Sequence, residues 1–274
     1  MSEINIKKGH NIGIAGVPST EVIQGFLAKT VSIQPTEFRG VKPKILVKEG
    51  DIVKVGSALF HDKKNPEIKW PSLGAGKISQ IQYGPRRAVE NIVIELAENE
   101  EFESAKIYRP AEIATLNRDE VLKYLLEGNL FPFFRQRPYN KVADHKDTPR
   151  DIFISGWNTG PLSVDLDVAL RRRLSPFQAG INALKTLTSG NVHLSYNRNT
   201  VSDTLLEAEN VNHHLLSGPH PSGNVGIQIH HIAPLSTNDI VWTINAQDVV
   251  RIGNYFLTGK LDTTLFTTIG GPGV

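Results

Sequence analysis

The chain has 274 residues, 39% apolar and 21% charged, with a net charge of +2. That balance belongs to a folded globular protein with room for two ordinary domains, and it excludes the strong basic bias of a nucleic-acid binder. Cysteine is absent, which removes disulfides, thiol nucleophiles, thiolate zinc sites and cysteine-ligated iron–sulfur clusters.

No apolar run approaches the roughly 18–20 residues of a membrane span, and the stretch Met1–Lys8 lacks the apolar core of a signal peptide. These features predict a cytoplasmic location, with partner subunits holding the chain at any membrane where it works.

Residues 1–98 read as β structure. Short alternating runs (Ile12–Ile14, Ala28–Ile33, Lys44–Val47, Lys77–Ile81, Ile92–Leu96) are separated by turn residues such as Gly9, Gly16, Pro18, Pro35, Gly40, Gly50, Gly56 and Gly84-Pro85. Val47–Gly56, Ala58–Phe60 and Gly74–Ile78 resemble half of a biotinyl/lipoyl-type barrel-sandwich domain, with Asp62-Lys63 where such domains carry a modified lysine at a hairpin tip. The methionines of the biotin motif are missing beside Lys63, so an unmodified scaffold is the plainer reading. The acidic stretch Glu98–Glu103 then reads as a boundary.

Beyond it the period changes. Asn117 is a natural N-cap for a helix through Val121, Leu122, Leu125 and Leu126, which Gly128 stops. Asp151–Gly156, Asn191–Tyr196 and Val211–Leu216 read as strands. Phe177, Ile181, Leu184 and Leu187 mark a helix, and Ile240–Gly253 carries another with Val249, Val250 and Ile252. Strands alternating with helices at this spacing predict parallel βαβ units. The expected layout is a barrel-sandwich domain over 1–105, a Rossmann-like α/β domain over 106–257, and the start of a further, truncated unit over 258–274.

The chemistry-bearing motifs are few. There is no Gly-x-Gly-x-x-Gly and no Walker A loop, and Ser155–Pro161 lacks the glycine spacing that brings a backbone up to pyrophosphate. His213-His214 and His230-His231 are adjacent pairs. On a strand, only one member of each can share a face with a site containing His220, and core or surface histidines are the better reading. Arg171, Arg172 and Arg173 read as a solvated helix face. The segment Leu130–Lys141 interleaves four aromatics with two arginines and two prolines. Phe131, Phe133, Phe134, Arg135 and Arg137 suit a quinone-like ring or a partner surface in a larger complex, against the alternative that the rings plug the core.

Several stretches, in fixed order along nearly the whole chain, are similar to the family of A subunits of the bacterial sodium-translocating NADH:quinone oxidoreductases. They are Ile6–Gly9, Ile14–Ser19, Val47–Val53, Asp62–Pro66, Leu116–Asp119, Phe134–Tyr139, Gly218–Gly223, Trp242–Val249 and Leu257–Leu261. The resemblance implies a peripheral subunit on the cytoplasmic face of the inner membrane, in a complex that oxidises NADH, reduces ubiquinone and exports Na+. Its layout is similar to the flavin-carrying subunit of respiratory complex I and to the C subunit of the Rnf complex. In place of their glycine-rich flavin loop this chain has the bulky Asn129–Pro138. The resemblance therefore implies a scaffold with no flavin or iron–sulfur centre of its own, in contact with other subunits of the complex and with ubiquinone. The alternatives are a soluble flavin- or NADH-binding oxidoreductase module and a carrier using Lys63.

Overall fold

The computed structural model describes residues 1–14, 19–25 and 28–270. Gly16 and Pro18, most of Ile14–Ser19, and Gly271–Val274 lie outside the described residues. In chain order the structure runs through β1 (Ser2–Asn5), β2 (Thr30–Ile33), β3 (Pro43–Ile45), β4 (Ile52–Val53), β5 (Ala58–Asp62), β6 (Asn65–Pro71), β7 (Gly76–Tyr83) and β8 (Val89–Leu96). Helices α1 (Pro110–Ile113) and α2 (Arg118–Glu127) precede the short strands β9 (Arg135–Arg137) and β10 (Lys141–Val142). There follow β11 (Ile152–Gly156), α3 (Leu166–Ala169), α4 (Leu174–Lys185), β12 (Val192–Asn197) and α5 (Asp203–Leu206). The last elements are β13 (Asn212–Ser217), α6 (Val225–Ile232), β14 (Val241–Asn245) and α7 (Ala246–Thr258).

The chain divides into two units. One holds Gly25–Asp147 and Asn254–Thr263; the other holds Met1–Gln24, Thr148–Gly253 and Thr264–Val274. The first is a β unit of two antiparallel sheets, ordered β2-β8-β7-β4 and β3-β5-β6. Its core includes Ile33, Val53, Leu59, Phe60, Trp70, Ile78, Ile92 and Ile94, and Phe60 stacks on Trp70 at 4.8 Å. Strict alternation would send Ile78 and Ile81 to opposite faces, yet both are buried. A register shift between Ile78 and Gln80 against β8 inserts one residue and returns Ile81 to the core. Lys63 lies exposed at the tip between β5 and β6, as the barrel reading places it.

Helix α2 starts on a reciprocal cap. Asn117 Oδ1 accepts from the Glu120 N–H at 3.0 Å, and Glu120 Oε2 accepts from the Asn117 N–H at 2.8 Å. It buries Val121, Leu122, Tyr124 and Leu125 and ends at Gly128. After it the chain stays with the β unit. Arg118 Nη2 donates to Asp147 O at 2.9 Å, Asn65 Nδ2 to Asp144 Oδ1 at 3.1 Å, and His145 Nε2 meets Glu67 Oε2 at 2.9 Å.

The α/β unit has five parallel strands in the order β1-β13-β12-β11-β14. β11 and β12 are buried along nearly their whole length, the pattern of a sheet covered on both faces. The chain builds outward from β11 through β12 to β13 and then returns to place β14 on the other side of β11. The order of this sheet therefore reverses between β11 and β14, where open α/β folds place their ligand crevices.

The structure departs from the sequence reading in particular segments. The compact units do not follow the boundary at 105: 106–147 packs with the β unit, while β1 leaves the N-terminal segment to pair with β13. Alternation marks a segment as a strand but does not say which sheet takes its edge. Ile240–Gly253 carries the expected helix with Val249, Val250 and Ile252, but only from Ala246 onward; Val241–Asn245 before it is a strand, because a short run buried on both sides has no distinguishing period. Ile12–Ile14 forms no strand, and α6 was not foreseen. After Thr258 the described residues form no helix or strand and are shared between the two units.

Candidate functional site

The aromatic–arginine segment lies in the β unit. Phe131 and Phe134 are fully buried, their centroids 5.3 Å apart, and the His145 ring stands edge-on to Phe131 at 6.0 Å. These two rings pack the interior of the unit, which corrects the expectation that they face a ligand. Phe133, Arg135 and Arg137 keep accessible surface, and Tyr139 at the following turn is 75% exposed. Gln136 is buried and accepts the Asp144 N–H at 3.2 Å. On strand β9 that places the two arginines together on the opposite face. Arg135 Nη2 donates to Asn140 O at 2.7 Å. Arg137 makes no ion pair among the described residues, and its Nε is buried without a hydrogen-bond partner.

Burial lowers the pKa of both guanidinium groups, and the charge of Arg135 adds to the effect on Arg137. A half-buried pair of like charges is an unfavourable arrangement in isolation. It is the arrangement an electron-rich carbonyl or a carboxylate would relieve.

The strand-end crevice of the α/β unit differs from a dinucleotide site. The loop after β11 is covered by the unit's own 218–223 loop. Thr159 Oγ1 accepts the Gly223 N–H at 3.0 Å and lies 3.0 Å from His220 Nδ1. A Cβ on Gly223 would sit 2.3 Å from the Thr159 nitrogen. The Gly160 N–H is taken by Asn158 Oδ1 at 2.9 Å. Gln228, fully buried on α6, fastens this closure. Its Oε1 accepts from Ser195 Oγ at 2.7 Å and Ser155 Oγ at 3.5 Å, and its Nε2 donates to Gly223 O at 3.1 Å. The amides of Gly160 and Gly223 are thus engaged by Asn158 and Thr159 within the unit itself.

The histidines separate. His213 meets the Tyr196 hydroxyl at 3.0 Å and Ala208 O at 2.8 Å, while His220 pairs with Thr159. His230 and His231 are on α6, not on a strand. Among the described residues no group of three or more His, Cys, Asp or Glu side chains could hold a metal ion.

Sequence reasoning missed a chain of contacts from Asp151 to Ser2. His193 Nε2 lies 3.7 Å from Asp151 Oδ1, His193 Nδ1 is 2.9 Å from His214 Nε2, and His214 Nδ1 is 2.6 Å from Ser2 Oγ. Burial opposes ionisation of Asp151, but the Asn191 N–H and Arg150 outweigh it and keep the carboxyl below its ordinary value. Burial lowers His193, and it lowers His214 to about 4, helped by the charges of His193, the N-terminus and His213. Both imidazoles are therefore neutral in the fold at pH values where the unfolded chain begins to bind protons. Their contribution is complete above about pH 6.5 and is lost as pH falls from there toward 4. We expect acidification across that window to cost the α/β unit about 2 kcal/mol, discounted for the solvent around His214. Denaturant titrations at pH 7, 6, 5 and 4 should show it, and His214→Gln should flatten the slope. An unchanged slope in that variant would show that other groups carry the acid sensitivity.

Comparison with known proteins matches the chain in two parts, the second of which includes residues 116–147 that pack with the β unit. Residues 4–97 match the family model described as the NqrA N-terminal barrel-sandwich hybrid domain, and residues 116–261 match the NqrA second alpha/beta domain. The chain is 38% identical over 272 residues to the A subunit of the Na(+)-translocating NADH-quinone reductase of Neisseria meningitidis serogroup B, covering 99% of this chain and 60% of that protein. The corresponding subunits of Serratia proteamaculans and Vibrio campbellii are 37% and 34% identical, covering 99% and 98% of this chain and 60% of each. The chain thus spans about 60% of the length of these relatives.

Proposed function

The chain belongs to the NqrA family, and from that membership we propose that it serves as a peripheral subunit of a Na+-translocating NADH:quinone oxidoreductase. In this reading the complex oxidises NADH, reduces ubiquinone to ubiquinol and moves Na+ out of the cytoplasm. The chain sits on the cytoplasmic face of the membrane, held by other subunits, and among its described residues no helix is long and apolar enough to cross a membrane.

We propose further that the chain contributes no flavin or iron–sulfur centre and is not catalytic by itself. The observation that supports this is the loop after β11, which the unit's own 218–223 loop and Gln228 engage. The absence of cysteine supports the same reading for iron–sulfur clusters. The chain's own contribution is then binding and positioning. Phe133, Arg135 and Arg137 offer a ring edge and two donor-rich cations to a quinone carbonyl or to an acidic surface on a neighbouring protein of the complex.

Two measurements test this. Calorimetric titration with flavin mononucleotide and with NADH should give no saturable binding at micromolar concentration. A flavin spectrum near one equivalent per chain would instead establish the soluble oxidoreductase module. In the assembled complex, Arg135→Ala with Arg137→Ala should reduce retention of the chain or ubiquinone reduction roughly tenfold, as expected for losing about 1.5 kcal/mol of charge-assisted contact. Thermal stability of the isolated chain should stay near that of the parent. A large stability loss with normal complex activity would make the segment purely structural.

A further inference from the structure

Three neighbouring strands of the α/β unit set Ser2, His214 and His193 side by side. Ser2 of β1 lies opposite His214 of β13. His214 in turn lies opposite Ser195, two residues along β12 from His193. The three side chains therefore share one face of the sheet. Asp151, immediately before β11, stands at the inner end of the row, and Ser2 is exposed at the outer end.

The buried end sets the direction of every hydrogen bond in the row. Asp151 is 6% exposed, and its oxygens accept from the Asn191 N–H at 2.9 Å and from Arg150 Nε at 2.7 Å. His193, equally buried, stacks on Phe153 at 4.6 Å and turns Nε2 toward Asp151 Oδ1 at 3.7 Å. A nitrogen lone pair aimed at an ionised carboxylate is repelled, so Nε2 carries the hydrogen and Nδ1 is the acceptor. His214 Nε2 then donates to His193 Nδ1 at 2.9 Å, which leaves a lone pair on His214 Nδ1 for the Ser2 hydroxyl at 2.6 Å. Burial lowers the pKa of both imidazoles, and Arg150 and Lys185 at His193, with the N-terminus and His213 at His214, act in the same direction against the pull of Asp151 on His193. Both rings are thus neutral near pH 7, and the base facing Ser2 is free to accept.

We propose that Ser2 is a site of covalent acylation by activated acyl esters, its hydroxyl directed onto His214 by the row that ends at Asp151. The Ser2 oxygen forms a bond to the acyl carbon as its proton passes to His214 Nδ1, and the bond from that carbon to the leaving oxygen breaks. The leaving oxygen departs with the electron pair. The Nε2 proton of His214 moves on to His193 Nδ1, so the positive charge comes to rest beside the Asp151 carboxylate, which offsets it. Return of one proton to solvent through the same row restores the resting tautomers. The reaction is stoichiometric, one acyl group per chain, and it is independent of the aromatic–arginine segment and of any role in a larger complex.

The test is reaction of the chain with p-nitrophenyl acetate, with mass mapping of the peptide Met1–Lys7. One acetyl ester on Ser2 is expected, removable by hydroxylamine and formed about tenfold faster than in His214→Gln. Its rate should stay level between about pH 6.5 and 8, because the base is already neutral there, whereas acetylation of the terminal amine and lysines climbs with pH and gives amides that hydroxylamine spares. Ser2→Ala alters one exposed side chain, so it should melt as the parent does and lose only the hydroxylamine-labile label. Acetylation confined to amines would overturn the proposal. A Ser2 ester formed equally fast in His214→Gln would do the same, by showing that the hydroxyl reacts without the base.

Discussion

Gly180→Ala should destabilise the α/β unit by more than about 2 kcal/mol, and Gly180→Val should prevent that unit from forming a cooperative fold. Glycine inside a helix ordinarily costs about 1 kcal/mol relative to alanine, so on an exposed helix the alanine change would stabilise. Here the sign reverses because of what faces it. A Cβ on Gly180 of α4 would lie 2.2 Å from the Val249 carbonyl oxygen and 2.8 Å from Val249 Cγ1 on α7. One turn further along α7, a Cβ on Gly253 would meet the Pro176 carbonyl oxygen at 1.7 Å and the Gly180 nitrogen at 2.8 Å. The obstacles are mostly backbone atoms, so side-chain repacking does not relieve them. The helices must separate, which unpacks Phe177, Ile181, Leu184, Val249 and Ile252 from the core. Denaturant unfolding followed by near-ultraviolet circular dichroism measures the loss. A Gly180→Ala variant more stable than the parent would show that the two helices can separate at little cost.

Gln228→Leu should cost about 1–2 kcal/mol. Leucine matches the volume but removes both the acceptor for Ser195 and Ser155 and the donor to the 218–223 loop, all in the interior. The Ser195 and Ser155 hydroxyls keep Ile154 O and Trp157 O as acceptors, so the loss falls mainly on the Gly223 carbonyl, at about 1–3 kcal/mol, offset in part by the more favourable transfer of leucine. Limited proteolysis should cleave the variant between residues 218 and 224 well before the parent. An equally resistant loop would show that Thr159 and the flanking contacts hold the closure without Gln228.

How much of this was legible in advance can be judged segment by segment. The Asn117 cap and the Gly128 stop were readable because a helix end is a local event: its donors are satisfied within three or four residues. Strands β11, β12 and β13 were readable from apolar runs between turn residues. Val241–Asn245 was not, since a strand buried on both sides and a buried helix share the same apolar composition. In the aromatic–arginine segment the residue types were informative and their directions were not. Phe131 and Phe134 turn inward while Phe133, Arg135 and Arg137 stay partly exposed, a division set by a short helical turn followed by a strand whose buried face belongs to Gln136.

By itself, the sequence determined what depends on residue identity or on neighbours along the chain. The lack of cysteine ruled out thiolate chemistry, the turn-punctuated alternation specified a small β unit, and the later spacing specified parallel βαβ units. Only the tertiary structure decided which unit claims each segment, as when β1 joins β13 across more than two hundred residues and 106–147 folds back with the β unit. It likewise assembled the Asp151–His193–His214–Ser2 chain and brought Gly223 and Gln228 onto the loop after β11. A strand's edge hydrogen bonds and a side chain's burial are satisfied by groups distant in sequence, and local pattern carries no record of which distant group arrives.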